Sequence, residues 1–244
     1  MTAMAASTSV VRPYRAHRNA DRIFFSLMPL LMLATVLFGF AKTYFLVGMV
    51  AAPLPNKLIH IHGAAFTLWM VLLIVQTGFI ATHHVQWHRK LGVAGFSLAV
   101  LMVVLGLTSA VNALHRGRGP NGLDAVTFFA IPTTDMLLFS VFVFFAYRAR
   151  RNAEAHKRLI TIATIALMDA AVGRWPVAVL QQHPPMQDLV IFGFLLLIVL
   201  YDVYSLHRVS RTTMWASALL VVVHLARVPL GLTGAWHSMV RHLV

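Results

Sequence analysis

At least six stretches of this chain stay apolar for close to the ~20 residues that an α-helix needs to cross the ~30 Å hydrocarbon layer of a bilayer. Few architectures accept such runs. In lipid, backbone N–H and C=O groups must be paired inside the spanning structure, and a helix does this within each run. Of the 244 residues, 59% are hydrophobic and 11% charged, against about 25% charged in a soluble domain. The fold class is therefore an all-α polytopic membrane helix bundle of about seven transmembrane helices.

The spans expected are 23–47, 57–81, 91–114, 123–147, 159–180, 188–206 and 213–232. Turn chemistry separates them: Pro53 and Pro55, then Gly117-Arg118-Gly119-Pro120-Asn121-Gly122, then His183-Pro184-Pro185. Pro29 and Pro132 fall inside spans, where they are expected to kink the helix. Residues 1–22 form a basic cytoplasmic segment. They lack the apolar core and cleavage site of a removable signal peptide, so the first helix reads as an uncleaved anchor. Residues 23–232 form the membrane domain, and 233–244 a short extracytoplasmic tail.

The formal net charge is +13. The bases lie between the apolar runs, which makes them topology determinants rather than nucleic-acid contacts. Arg12, Arg15, Arg18, Arg22, Arg89, Lys90, Arg148, Arg150, Arg151, Lys157, Arg158, Arg208 and Arg211 gather at one set of helix ends. The positive-inside rule makes that side cytoplasmic, with the N-terminus inside and the chain in a bacterial-type inner membrane. There is no cysteine, which excludes disulfides, thiolate metal sites and iron–sulfur clusters.

Ionisable residues at membrane depth are costly and mark candidate sites. Counting from the cytoplasmic edge at 1.5 Å per residue, Asp135, Asp169 and His224 fall at roughly 12–16 Å. Arg174, Arg227 and His62 come at roughly 21–22 Å, with His60 a little farther out. His224 and Arg227, three apart, share a helix face. His62, Trp69, Gln76 and His83 recur every seven residues and form a stripe. Two readings remain open for the charges. Asp135 and Asp169 balance Arg174 and Arg227, as structural ion pairs between helices do. Alternatively, Asp135, Asp169 and His224 form a proton relay. His224 also reads as a hydrogen-bonded core residue, and His60 and His62 as interfacial ones.

Trp87-His88-Arg89-Lys90-Leu91 opens the third span, and Ala155-His156-Lys157-Arg158-Leu159 the fifth. Parallel repeats of a hairpin give such recurrence, and so do basic loops placed independently by the positive-inside rule. Trp87-His88-Arg89-Lys90-Leu91-Gly92, running on to Gly106-Leu107, resembles the His-Arg-x-Leu-Gly helix starts of bacterial dihaem b-type membrane cytochromes. The likeness covers one helix hairpin. It implies haem b held by histidines in a helix bundle, with electrons passing to or from quinone or another membrane redox partner. Under that reading His62 and His224 are the ligand candidates, and Arg174 and Arg227 the partners of the propionates. Their estimated depths differ by roughly 6 Å, part of which helix tilt absorbs.

Two other classes stay open. His60, His62 and His224 with a carboxylate suit a zinc or iron site in an intramembrane enzyme. A proton-coupled transporter or an accessory subunit needs no cofactor. The seven-helix lipid amidases have a similar helix count, but their last helix carries a His-x-x-x-His pair, and Val228 stands four after His224 here.

Overall fold

The computed structural model describes residues 13–47, 56–117, 119, 122–183 and 185–243. Arg12, Pro53, Pro55, Arg118, Pro120, Asn121 and Pro184, with the side chains of Arg15 and Arg18, lie outside the described residues. Among the described residues there are helices, turns and loops and no strand.

The first helix, α1 (Pro13–Phe40), continues into a π-helical turn at Ala41–Phe45. Next come α2 (Lys57–Ala81), α3 (Val85–His115) and α4 (Ala125–Arg148). The fifth expected span is broken into α5 (Ala153–Ile165), α6 (Asp169–Val172) and α7 (Ala178–Gln182). The chain then forms α8 (Pro185–Leu206), α9 (Arg211–Gly231) and the short α10 (Gly234–Val240). Six of these helices are long and apolar enough to cross a membrane, so the chain is a multi-pass membrane protein. The segment 153–182 is not among the six.

Polar caps set the ends. Asn56 accepts the Ile59 N–H, Asp124 accepts those of Val126 and Thr127, Asn152 that of Ala155, and Ser210 that of Thr213. Each satisfies a donor that the first helical turn leaves free. Pro185 opens α8, where its missing N–H costs nothing. At the other ends, His83 and His207 adopt left-handed backbones with φ of 66° and 54°. Their N–H groups return to the carbonyls of Ile80 and Val203, so both residues close a helix.

The helices α2, α3 and α4 pack in succession, α4 also lies on α9, and α8 rests on α9 and α5. At the centre stands α5, in contact with α4, α9, α1 and α8. From Arg158 to Ala166 every residue except Ile160 is buried. That position lets the chain break. After Ile165 the ladder tightens, with the N–H groups of Leu167 and Met168 reaching only to Thr164 and Ile165. Gly173 and Pro176 follow, and such irregular backbone is tolerated at membrane depth only inside protein or along a cavity. Alpha1 comes very close here: a Cβ on Gly39 would overlap the Ala171 carbonyl. The outer surface is greasy, with Leu27, Val100, Val104, Leu196, Leu200 and Leu225 exposed, as lipid contact requires.

Candidate functional site

Four elements aim polar side chains at one point. Asp135 comes from α4, Asp169 from the first residue of α6, Asp188 from the first turn of α8, and His224 and Arg227 from α9. The helix breaks place them. Pro132 lies one turn before Asp135, and the hydroxyls of Thr133 and Thr134 bond back to Phe129, Ala130 and Ile131 carbonyls. Such back-bonding bends helices. Pro229 lies two residues past Arg227. Asp169 starts a new helix at the discontinuity after α5.

Arg227 ties the carboxylates together. Its Nη1 pairs with Asp169 Oδ2 and lies 3.3 Å from Asp135 Oδ1, while its Nη2 donates to Asp188 Oδ1 at 2.9 Å. The same Asp188 oxygen lies 3.2 Å from His224 Nδ1. The His224 side chain is fully buried, Arg227 and Asp169 are nearly so, and Asp188 is 19% exposed. Asp169 Oδ1 and His224 Nε2 are both buried and have no hydrogen-bond partner among the described residues. One donor atom from each of Asp135, Asp169 and His224 lies within 4.8 Å of the others.

The expected balance of two acids against two bases becomes three acids around one base. Arg174 is exposed, donates to the Ala170 carbonyl of its own segment at 2.6 Å, and lies 4.7 Å over the Phe40 ring. Asp188 takes part instead. It stood at the edge of an expected span and passed for a helix start. Its level with Arg227 near the outer ends of neighbouring helices is the signal that would have found it.

His62 and His60 lie elsewhere. His62 stacks on Phe66 of its own helix at 4.2 Å, near Leu105, and its buried Nδ1 has no partner. His60 lies beside Tyr44, with ring centroids 6.4 Å apart. His224 has Phe192 and Asp188 as its ring neighbours. His62 and His224 thus have different ring neighbours. The seven-residue stripe on α2 buries its middle, where the Trp69 indole donates to Thr164 and Gln76 is also buried.

No family model, curated protein or solved structure matches this chain. Its chemistry is therefore read from its own side chains.

A second buried cluster lies near the other end of α5. Arg158, 1% exposed, donates from Nε and Nη2 to Oδ1 of Asp202, 0% exposed, at 2.8 and 2.5 Å. Asp202 Oδ2 accepts from Thr213 Oγ1 at 2.6 Å and from the Ser210 N–H at 3.0 Å. Arg158 also pairs with Glu154. Each member is satisfied, so the cluster fastens α5 to α8 and the start of α9. Read from the sequence, Arg158 was one loop base among many. Its partner Asp202, an acid one turn from the end of an apolar helix, was the available clue. Nearby, His88 and His156, the histidines of the two similar motifs, come together with ring centroids 6.2 Å apart. His156 Nδ1 lies 2.9 Å from the Ala146 carbonyl.

Proposed function

We propose that this chain is a cation-coupled membrane carrier whose buried anionic cage, formed by Asp135, Asp169, Asp188, His224 and Arg227, holds the coupling or transported cation. One observation carries the reading. Three carboxyl groups face one guanidinium in the interior of an apolar bundle, so that with all three ionised and His224 neutral two negative charges would have no partner. An unpaired charge away from water costs several kcal/mol, so the cage is stable when protons or a bound cation make up the difference. The discontinuity at α6 supports transport in particular. Carriers build their sites from interrupted helices, because freed backbone groups and side chains meet there at mid-membrane depth.

On this reading the segment 153–182 completes a seventh crossing, the basic helix ends face the cytoplasm, and the membrane is a bacterial-type inner membrane. Asp188, the most exposed member of the cage, stands at the outer entrance. Protein reconstituted into vesicles tests the function. A cation or proton gradient should be dissipated by the wild-type chain and held by Asp169→Asn. Equal leakage from both, or from neither, overturns it. Haem binding and electron exchange with quinone make a different prediction for the same preparation. An absorption band near that of haem, shifting on dithionite reduction, would return the protein to electron transfer.

A further inference from the structure

We propose that Asp135, Asp169 and His224 Nε2 coordinate one divalent transition-metal ion of the zinc, cobalt or manganese class, with Asp188 as the positioning residue that orients the imidazole. This names the ligand of the cage and rests on the cation-binding reading above.

The tautomer of His224 is the first argument. Asp188 Oδ1 accepts from the Arg227 guanidinium at 2.9 Å, the charge-assisted contact that an ionised carboxylate makes. An ionised carboxylate has no proton to give. His224 Nδ1, 3.2 Å from the same oxygen, must therefore carry the hydrogen and donate. In the neutral imidazole this leaves the lone pair on Nε2. That nitrogen is buried and has no hydrogen-bond partner. A histidine that gives its Nδ1–H to a carboxylate and keeps a bare Nε2 is arranged as metal-ligating histidines are.

Asp169 makes the second argument. Its Oδ2 faces Arg227, while Oδ1 is buried without a partner. A lone acceptor at such depth is costly, and here it lies in the same cluster as a second one. One ligand atom from each of Asp135, Asp169 and His224 lies within 4.8 Å of the others. An ion about 2.0–2.2 Å from each oxygen and nitrogen draws such a set together by small side-chain rotations.

Charge and ligand type narrow the ion. A single divalent cation cancels the two unbalanced negative charges with His224 neutral. Two carboxylates and one imidazole suit a borderline ion, whereas calcium and magnesium take oxygen sets. Three protein ligands leave a coordination position open to water or to an incoming group. Arg227 then acts as the fixed counter-charge that holds the carboxylates in place when the ion departs.

Full-length protein in detergent, stripped with a chelator, is titrated with Zn2+ and with Co2+. One ion per chain is expected, with a Co2+ visible spectrum of low-coordinate, oxygen- and nitrogen-ligated metal that Zn2+ bleaches. Asp188→Asn keeps the site but weakens it 10- to 100-fold, as loss of a carboxylate behind a ligating histidine does. His224→Ala and Asp169→Asn lose the ion. Should either variant fail to fold, X-ray absorption of the Zn2+-loaded wild type decides the matter, through an oxygen-rich shell carrying one imidazole. Wild type that binds neither metal, or variants that bind them as tightly as wild type, overturn the proposal. A chain stabilised by protons or monovalent ions but by neither metal refutes the coordination alone. A chain stabilised by no cation removes the cation reading as well.

Discussion

Each buried charge has a different stake in its neighbours. Among the described residues Arg227 is the one arginine or lysine paired with the three carboxyl groups of Asp135, Asp169 and Asp188, so Arg227→Gln strands them and should cost about 3–5 kcal/mol, as breaking a buried pair does. Arg174 donates to its own segment's carbonyl and lies over an aromatic face. Arg174→Gln should cost less than about 1 kcal/mol. Thermal unfolding in detergent ranks them, and equal losses would mean that Arg174 also faces a buried acid. Asp124 gives a pH signature outside the spans. Hydrogen bonds from Thr127 and Val126 hold its carboxyl below the ordinary carboxylate range. Its folded-state pKa is depressed, so its stabilisation is complete above the unfolded value of about 3.9 and fades as pH falls through the folded one. Asp124→Asn keeps the cap and should lose that acid-side slope, seen as unfolding midpoints that converge with wild type at low pH. Residue types and depths marked Asp135, Asp169, His224 and Arg227 in advance. Depth alone could not tell which way a side chain turns, and that is why Arg174 was placed with them and Asp188 was not.

At the scale of elements, apolar length identified the long helices well, and α2 has the expected ends, 57–81. It did not resolve the breaks within the fifth span, because hydropathy sums composition and ignores backbone continuity, and Asp169 begins a separate helix there. What permits the break is tertiary. Alpha5 is buried by its neighbours, and the backbone of α1 at Gly39 closes on the Ala171 carbonyl. Gly39→Val should push α6 outward, cost about 1–3 kcal/mol as overpacking does, and disturb Asp169 although it lies outside the cage. Unfolding together with the cation dependence of the variant reads both effects. A variant as stable as wild type would show that α1 yields easily. The left-handed closures of α2 and α8 carry a smaller prediction. His207→Gly should be neutral or stabilising, and His207→Val destabilising, because only the β-branched side chain clashes at that φ.

The whole molecule is organised around α5. One end is clamped by the satisfied Arg158–Asp202 network, and the other leads to the three carboxyl groups around Arg227. A fastened end and an acid-rich end on one central segment suit a protein that rearranges near its site while keeping its helices together. Absence of cysteine makes topology directly measurable. Single cysteines at His83, Arg150 and Arg208 should react with an impermeant reagent only from the cytoplasmic side, and those at Arg116 and Arg241 only from the opposite face. Labelling with the sides exchanged would invert the bundle. The decisive measurement is the unfolding midpoint of purified full-length protein as a function of cation concentration at constant pH. A ligand of the folded state at a hundredfold excess over its Kd adds about 2.7 kcal/mol. The midpoint should rise accordingly in the wild type and stay flat in Asp169→Asn. If both proteins respond alike, or neither responds, the carboxylates around Arg227 are a structural joint and hold no cation.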